Sequence, residues 1–210
     1  MSDINRRDAL KAFAVVSVAN FLDVGAPQLE RAVRAVESLE QGQAYTPKFF
    51  TRREWRTVRV LVDYVIPRDA RSGSATEAKV PEFMDFLLAD KDAAEGSKVS
   101  MRGGLAWLDN ESQSRFGKAF VTATDAQRRQ VLDDIAWPAK ARPEMSHGAA
   151  FFTRFRDFTA SGFFSTAIGW RDVQYIGNVF NPDWDGCPPA AMNKLGVSPA
   201  VMNTRINSGK

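Results

Sequence analysis

Apolar residues recur along this chain at helical spacing, and no stretch alternates as a half-buried strand would. From Trp55, the positions Val58, Val62 and Val65 fall on one face, widened by Leu61 and Ile66. Just ahead, Thr51-Arg52-Arg53-Glu54 reads as a capping box: Thr51 caps and Glu54 reaches back to it. Pro67 disfavours helix at Ile66 and closes the element. The same grammar repeats. Pro27 opens a helix through Leu29, Val33, Val36 and Leu39, which Gly42 stops. Pro81 opens another with Phe83, Phe86 and Leu87 inward. Residues 101–116 read as helical despite Gly103-Gly104, with Leu105, Trp107 and Leu108 as apolar contacts. Thr124 and Gln127 form a second capping box, ahead of Val131, Leu132 and Ile135, and Trp137-Pro138 ends that helix.

The densest apolar segment is 151–189, which holds seven of the fifteen Phe between Phe151 and Phe180. Phe151, Phe155 and Phe158 share one helical face and are expected in the core. Gly162 marks a break or bend, with Phe163-Phe164 opening the next element. Beyond Gly169 the period is lost, and the spacing predicts a loop-rich tail. Residues 90–98 read as a polar, mobile connector. The expected fold is all-α, a bundle of about five to seven helices with a loop-rich C-terminal tail. The expected boundaries are an N-terminal segment 1–26, a helix within 27–45 that is either a spacer or a surface helix of the domain, a body 46–190 and a tail 191–210.

Charge narrows the classes. The 28 Lys/Arg and 25 Asp/Glu are interspersed and leave a net charge of +3. No basic block of the kind nucleic-acid binders carry is present, so a nucleic-acid partner is not expected. Cys187 is the single cysteine. It excludes an intrachain disulfide and Cys-based metal or haem motifs, and in its Gly-Cys-Pro-Pro setting it is expected as a small packed residue. His147 is the single histidine and has no carboxylate partner by motif, so it reads as a loop residue near a helix start. Asp133-Asp134 and Asp183/Asp185 read as solvated face or turn, because a metal needs more convergent ligands. Gly103-Gly104 lacks the spacing and preceding strand of a dinucleotide loop and reads as a packing feature. No catalytic, cofactor-binding or metal-binding residue is therefore assigned. Trp170, Tyr175 and Trp184 lie in aperiodic sequence and divide between core and interface. With Asn178 and Cys187 they make up the segment expected to dock a partner.

The first residues place two arginines before a short apolar run, the layout of an export signal. Asn5 to Lys11 resembles a twin-arginine (Tat) signal: Arg6, Arg7, Leu10 and Lys11 match its pattern, while Asn5 and Ala9 depart from it. That resemblance implies export of a folded chain to the periplasm or the periplasmic face of the inner membrane by the Tat machinery. An amphipathic helix that happens to begin with Arg-Arg is the alternative.

The order of motifs through the body is also recognisable. Phe49-Phe50-Thr51 with Glu54 is followed by Ile66-Pro67-Arg68-Asp69, Val80-Pro81-Glu82-Phe83-Met84 and Gly104-Leu105-Ala106-Trp107-Leu108-Asp109. Then come Phe116-Gly117, Gln127-Arg128, Phe151-Phe152, Gly162-Phe163-Phe164, Gly177-Asn178 and Gly186-Cys187-Pro188. The series resembles the gluconate 2-dehydrogenase subunit 3 family, over about residues 46–190. The resemblance implies a non-catalytic small subunit of a FAD-dependent dehydrogenase of sugars or sugar acids. FAD would sit in a large partner of the GMC oxidoreductase type, which this chain would bind, stabilise and escort through Tat export. A cytochrome c subunit carrying haem c would join some such complexes. A stand-alone enzyme with an unrecognised site and a helical module for another partner are the competing readings.

Overall fold

The computed structural model describes residues 24–39, 44–175 and 187–196. Among them are eight α-helices and no strand, in keeping with the helical spacing of the sequence. They are α1 (Ala26–Glu37), α2 (Arg52–Val65), α3 (Val80–Ala89), α4 (Glu95–Phe116), α5 (Asp125–Ile135), α6 (Ser146–Phe164), α7 (Ala167–Asp172) and α8 (Pro189–Leu195). The chain divides into two compact units, 1–177 and 178–210; the second contributes α8 to the described residues.

In the first unit α6 is the central helix and packs against α2, α3, α4, α5 and α7. Its Phe151, Phe155 and Phe158 are buried, as are Phe152 and Phe163. Each such ring withdraws about 150–250 Å² from water, so this face supplies a large share of the hydrophobic stabilisation. Both capping boxes form. Thr51 accepts from Glu54 N–H and Glu54 from Thr51 N–H, and Thr124 and Gln127 do the same at α5.

Three local expectations are corrected. The α6 helix does not break at Gly162 but runs on to Phe164. Gly162 is there for contact: a Cβ would come within 2.8 Å of the Phe83 ring of α3. The supposed connector 90–98 contains the first turn of α4, which begins at Glu95, an acidic residue suited to a helix N-terminus. The stretch around Gly169, beyond which the period is lost, lies in the short α7, with Thr166 as cap accepting from Gly169 N–H. Such short helices escape a periodicity search because they complete barely two turns.

The first helix is held at its middle and just past its C-terminal end. Its Leu29, Ala32 and Val36 are buried, and it packs on α3. The Arg31 guanidinium grips Asp90 at the end of α3 with two 2.9 Å bonds and reaches Asp92 with a third. At the other end Lys79, just before α3, donates through Nζ to the Leu39 carbonyl at 2.5 Å. These ties make α1 and α3 antiparallel and make α1 a layer of the domain body. The Arg31 fork holds the Asp90 carboxyl down at about 2, helped by the Asp92 N–H. A lowered carboxyl stabilises the fold above its unfolded value and ceases to do so as pH falls through the folded one. Between about pH 4 and 2, α1 should therefore lose hydrogen-exchange protection earlier than α6, and the difference should vanish in Arg31→Ala. The effect should be modest, because the pair is solvent-screened.

Ser112 is one of the buried polar groups without a match among the described residues. It lies on α4 and is fully buried, and its Oγ has no hydrogen-bond partner. Removing a buried, unmade donor recovers its desolvation cost, and Ala is the better helix former. Ser112→Ala should raise the unfolding free energy by roughly 1 kcal/mol in urea titration.

Candidate functional site

Two buried carboxylates organise the polar interior. Asp85 lies on the inward face of α3 with no exposure at all. Its Oδ1 accepts from the N–H groups of Phe49 (2.9 Å) and Phe50 (3.0 Å). Its Oδ2 accepts from Lys48 N–H and the Tyr45 hydroxyl, both at 2.7 Å. Four oriented donors take the place of a counter-ion. The segment 45–50 is thus wrapped around one side chain of α3, and its rings follow: Tyr45 stands 5.3 Å from Trp55 and 5.6 Å from Phe86. Burial first, and the Asp85 carboxylate second, push the Tyr45 phenol well above its ordinary value. One turn earlier, Glu82 is held above the usual carboxylate range by desolvation, and its buried Oε2 has no partner.

Asp109 of α4 is the second carboxylate. It accepts from Arg53 Nε of α2 at 2.8 Å and from Phe120 N–H at 3.0 Å, joining α2, α4 and the short turn 120–122. Arg102 donates to the Phe49 carbonyl at 2.7 Å, lies over the Phe49 ring and faces Glu54 at 3.7 Å. These groups line an open cleft of about 250 Å³ between α2 and α4. Its cations and anions are matched to each other, so its polarity is spent on joining helices.

The remaining chemical candidates resolve in the same direction. His147 is exposed in the first turn of α6. Asp133 is exposed, and Asp134 belongs to an ion-pair chain with Arg115 (2.7 Å) and Arg142 (3.6 Å). Among the described residues no three His, Cys, Asp or Glu converge as a metal site would require. Gly103-Gly104 lies inside α4 and offers no cradle for a flavin pyrophosphate: a Cβ on Gly104 would fall 1.8 Å from the Phe151 ring. The glycine pair therefore does not fit a flavin.

The aromatic end of the first unit is different. Trp170 is half-buried and Tyr175 is 47% exposed, with their rings edge-on at 6.2 Å. A helix-terminating turn of the Schellman type sets this pair. Tyr175 N–H bonds the Trp170 carbonyl at 2.8 Å, and Gln174 N–H bonds the Arg171 carbonyl at 3.1 Å. The turn requires a left-handed residue, here Gln174 at φ 55 in place of the usual glycine. Phe164 (42% exposed) and Val173 (54%) add apolar surface nearby in the chain. Arg71 fastens the end of α7 by donating to the Asp172 carbonyl. The result is a pair of rings, one half-buried and one exposed, on a backbone fixed by its own hydrogen bonds.

Of the other expected docking residues, Cys187 is exposed with a free thiol and is not the packed small residue its turn suggested. Asn178 and Trp184 lie outside the described residues, as do Asp183, Asp185 and the export-signal positions Arg6, Arg7, Leu10 and Lys11. The sequence reading missed Asp85, Asp109, Phe164 and Val173. For the two carboxylates a signal exists: Asp85 follows Pro81 at i+4, and Asp109 follows Leu105 at i+4, each on an apolar helical face.

A model of the gluconate 2-dehydrogenase subunit 3 family matches residues 52–182. That span runs from the first residue of α2 past α7 and includes Asp85, Asp109, Gly104 and the Trp170–Tyr175 pair. No curated protein and no solved structure matches the chain.

Proposed function

The chain belongs to the gluconate 2-dehydrogenase subunit 3 family, and from that membership we propose that it is the non-catalytic small subunit of a FAD-dependent sugar or sugar-acid dehydrogenase. It binds and stabilises a large flavoprotein subunit of the GMC oxidoreductase type and escorts it through Tat export to the periplasm. FAD belongs to that partner, and haem c to a cytochrome c subunit where the complex has one. The family match carries this reading. It is supported by the buried carboxylates, which are committed to backbone, tyrosine and arginine donors, and by the Trp170–Tyr175 ring pair at the end of α7, with Tyr175 exposed. Trp and Tyr on a fixed backbone are the residue types that dominate binding hot spots.

The mechanism is linkage. A partner that binds only the folded chain stabilises it, and by reciprocity is stabilised, by about 2.7 kcal/mol at a hundredfold excess over Kd. The test is co-expression with the flavoprotein. The expected result is higher flavin content and dehydrogenase activity of the large subunit in the presence of this chain, lost when Val173→Glu and Tyr175→Glu are introduced together. Arg6→Lys with Arg7→Lys should retain both subunits in the cytoplasm. Turnover of a sugar by the isolated chain, free of any flavoprotein, would overturn the assignment.

A further inference from the structure

We infer that an open groove beside the start of α2 is a docking site for an extended segment of a protein partner in which acidic and apolar residues alternate. The groove has a volume of about 790 Å³ and two kinds of lining. Tyr45, Pro47, Phe50 and Trp55 supply an apolar side, and Arg52 and Arg56 a cationic one. The apolar side is preformed. The Trp55 ring stands 5.3 Å from Tyr45 and 6.3 Å from Phe50, and Tyr45 is fixed by its bond to Asp85.

The chemistry of the occupant follows from charge. None of the eight lining residues is Asp or Glu. Arg52 and Arg56 are exposed, and among the described residues neither makes an ion pair, hydrogen bond or ring contact. Their neighbours are engaged: Arg53 with Asp109, and Arg102 with the Phe49 carbonyl. The carboxylates of α2 are engaged too, Glu54 by Thr51 N–H and Asp63 by Thr76 N–H. The complementary charge is therefore one that a partner supplies. Arg52 is the first residue of α2, where the helix dipole favours an anion, so a carboxylate bound there also relieves an unfavourable cation. Guanidinium forks match carboxylates two bonds at a time. Positions 52 and 56 are one turn apart, with Cβ atoms about 5–6 Å from each other. Alternate residues of an extended segment are about 6–7 Å apart on one side, so successive acidic residues meet the two forks. The apolar residues between them turn the other way, onto the Tyr45 and Trp55 rings. A nucleic-acid strand would call for a longer track of cations than two arginines.

Docking at this groove goes beyond the subunit assignment, and its test uses no flavoprotein, so either can fail alone. The probe is the peptide Gly-Glu-Phe-Glu-Leu-Glu-Gly, titrated into the full chain by calorimetry. Saturable binding is expected, roughly tenfold weaker in Arg52→Glu with Arg56→Glu. Replacing both by lysine should give an intermediate loss, since the charge stays and the fork goes. Both arginines are exposed, and unchanged thermal unfolding verifies that the variants fold. The block peptide Gly-Glu-Glu-Glu-Phe-Leu-Gly should bind several-fold more weakly. With benzoylphenylalanine in place of its Phe, the alternating peptide should crosslink within residues 45–56. Absence of saturable binding, equal binding by the charge-reversed chain, or equal binding of the block peptide would each overturn the proposal. So would crosslinks confined to other regions, or tighter binding of a ten-nucleotide oligothymidylate.

Discussion

Replacing Asp85 by alanine should destabilise the domain by about 3–4 kcal/mol, the largest effect expected of any single polar side chain here. Three backbone N–H groups and the Tyr45 hydroxyl converge on that carboxylate from within 3.0 Å. Each donor left buried without an acceptor costs about 1–3 kcal/mol, so the sum would exceed the measured loss if nothing moved. Something will move. Lys48 is exposed and Phe49 half-buried, so part of the segment 45–50 can turn to water, while Phe50 is buried and cannot. Against a typical total of 5–15 kcal/mol, a loss of this size approaches unfolding at physiological temperature. Asp85→Asn should cost less, about 2 kcal/mol, since the amide oxygen keeps one pair of donors while its NH2 faces the other pair. Urea titration of the three proteins checks the order.

Tyr45 adds a pH signature to the same cluster. Its phenol is raised by burial and by the Asp85 carboxylate. A group whose folded value lies above its unfolded value contributes stability that is complete below the unfolded value, near 10 for a phenol, and declines as pH rises beyond it. Stability should therefore fall above about pH 10, and Tyr45→Phe, which costs about 1 kcal/mol at neutral pH, should flatten that fall.

The second large effect is expected at Gly104. An ideal Cβ there would lie 1.8 Å from Cδ2 and 2.2 Å from Cγ of Phe151, and the displaced atoms belong to a ring. That ring is 5% exposed and stands 5.7 Å from Phe155, so it has no free direction in which to turn. Overpacking of this kind costs about 1–3 kcal/mol, offset by the ~1 kcal/mol that alanine gains over glycine in a helix. The net expectation for Gly104→Ala is a loss of up to about 2 kcal/mol by thermal or urea unfolding. Its neighbour supplies the control: a Cβ on Gly103 meets nothing within 4 Å, so Gly103→Ala should stabilise by up to about 1 kcal/mol. Adding Phe151→Leu to Gly104→Ala should recover part of the loss, and a double-mutant cycle would report the coupling.

These cases show where sequence is informative. The capping boxes at Thr51 and Thr124, the inward Phe151, Phe155 and Phe158, and the stop at Pro67 are local matters. Caps, periodicity and proline geometry act over three to seven residues, within reach of a one-dimensional reading. Gly104 could be assigned to packing but not to a partner, because the ring it accommodates is 47 residues away. The Trp170–Tyr175 pair was visible as two aromatics out of period. The left-handed Gln174 that brings them together was not, because glutamine carries no signal for that conformation.

The sequence by itself determined the all-α class, most helix starts and stops and the apolar face of the central helix, and its ordered motifs led to the family that residues 52–182 match. Only the tertiary structure decided that α1 is tied to both ends of α3 and that α6 runs through Gly162. It alone decided that Asp85 and Asp109, scattered among apolar neighbours in sequence, are spent on joining segments. The physical reason is range. Helix propensity and capping are settled among near neighbours, whereas the satisfaction of a buried carboxylate and the space beside a glycine depend on groups brought together by folding.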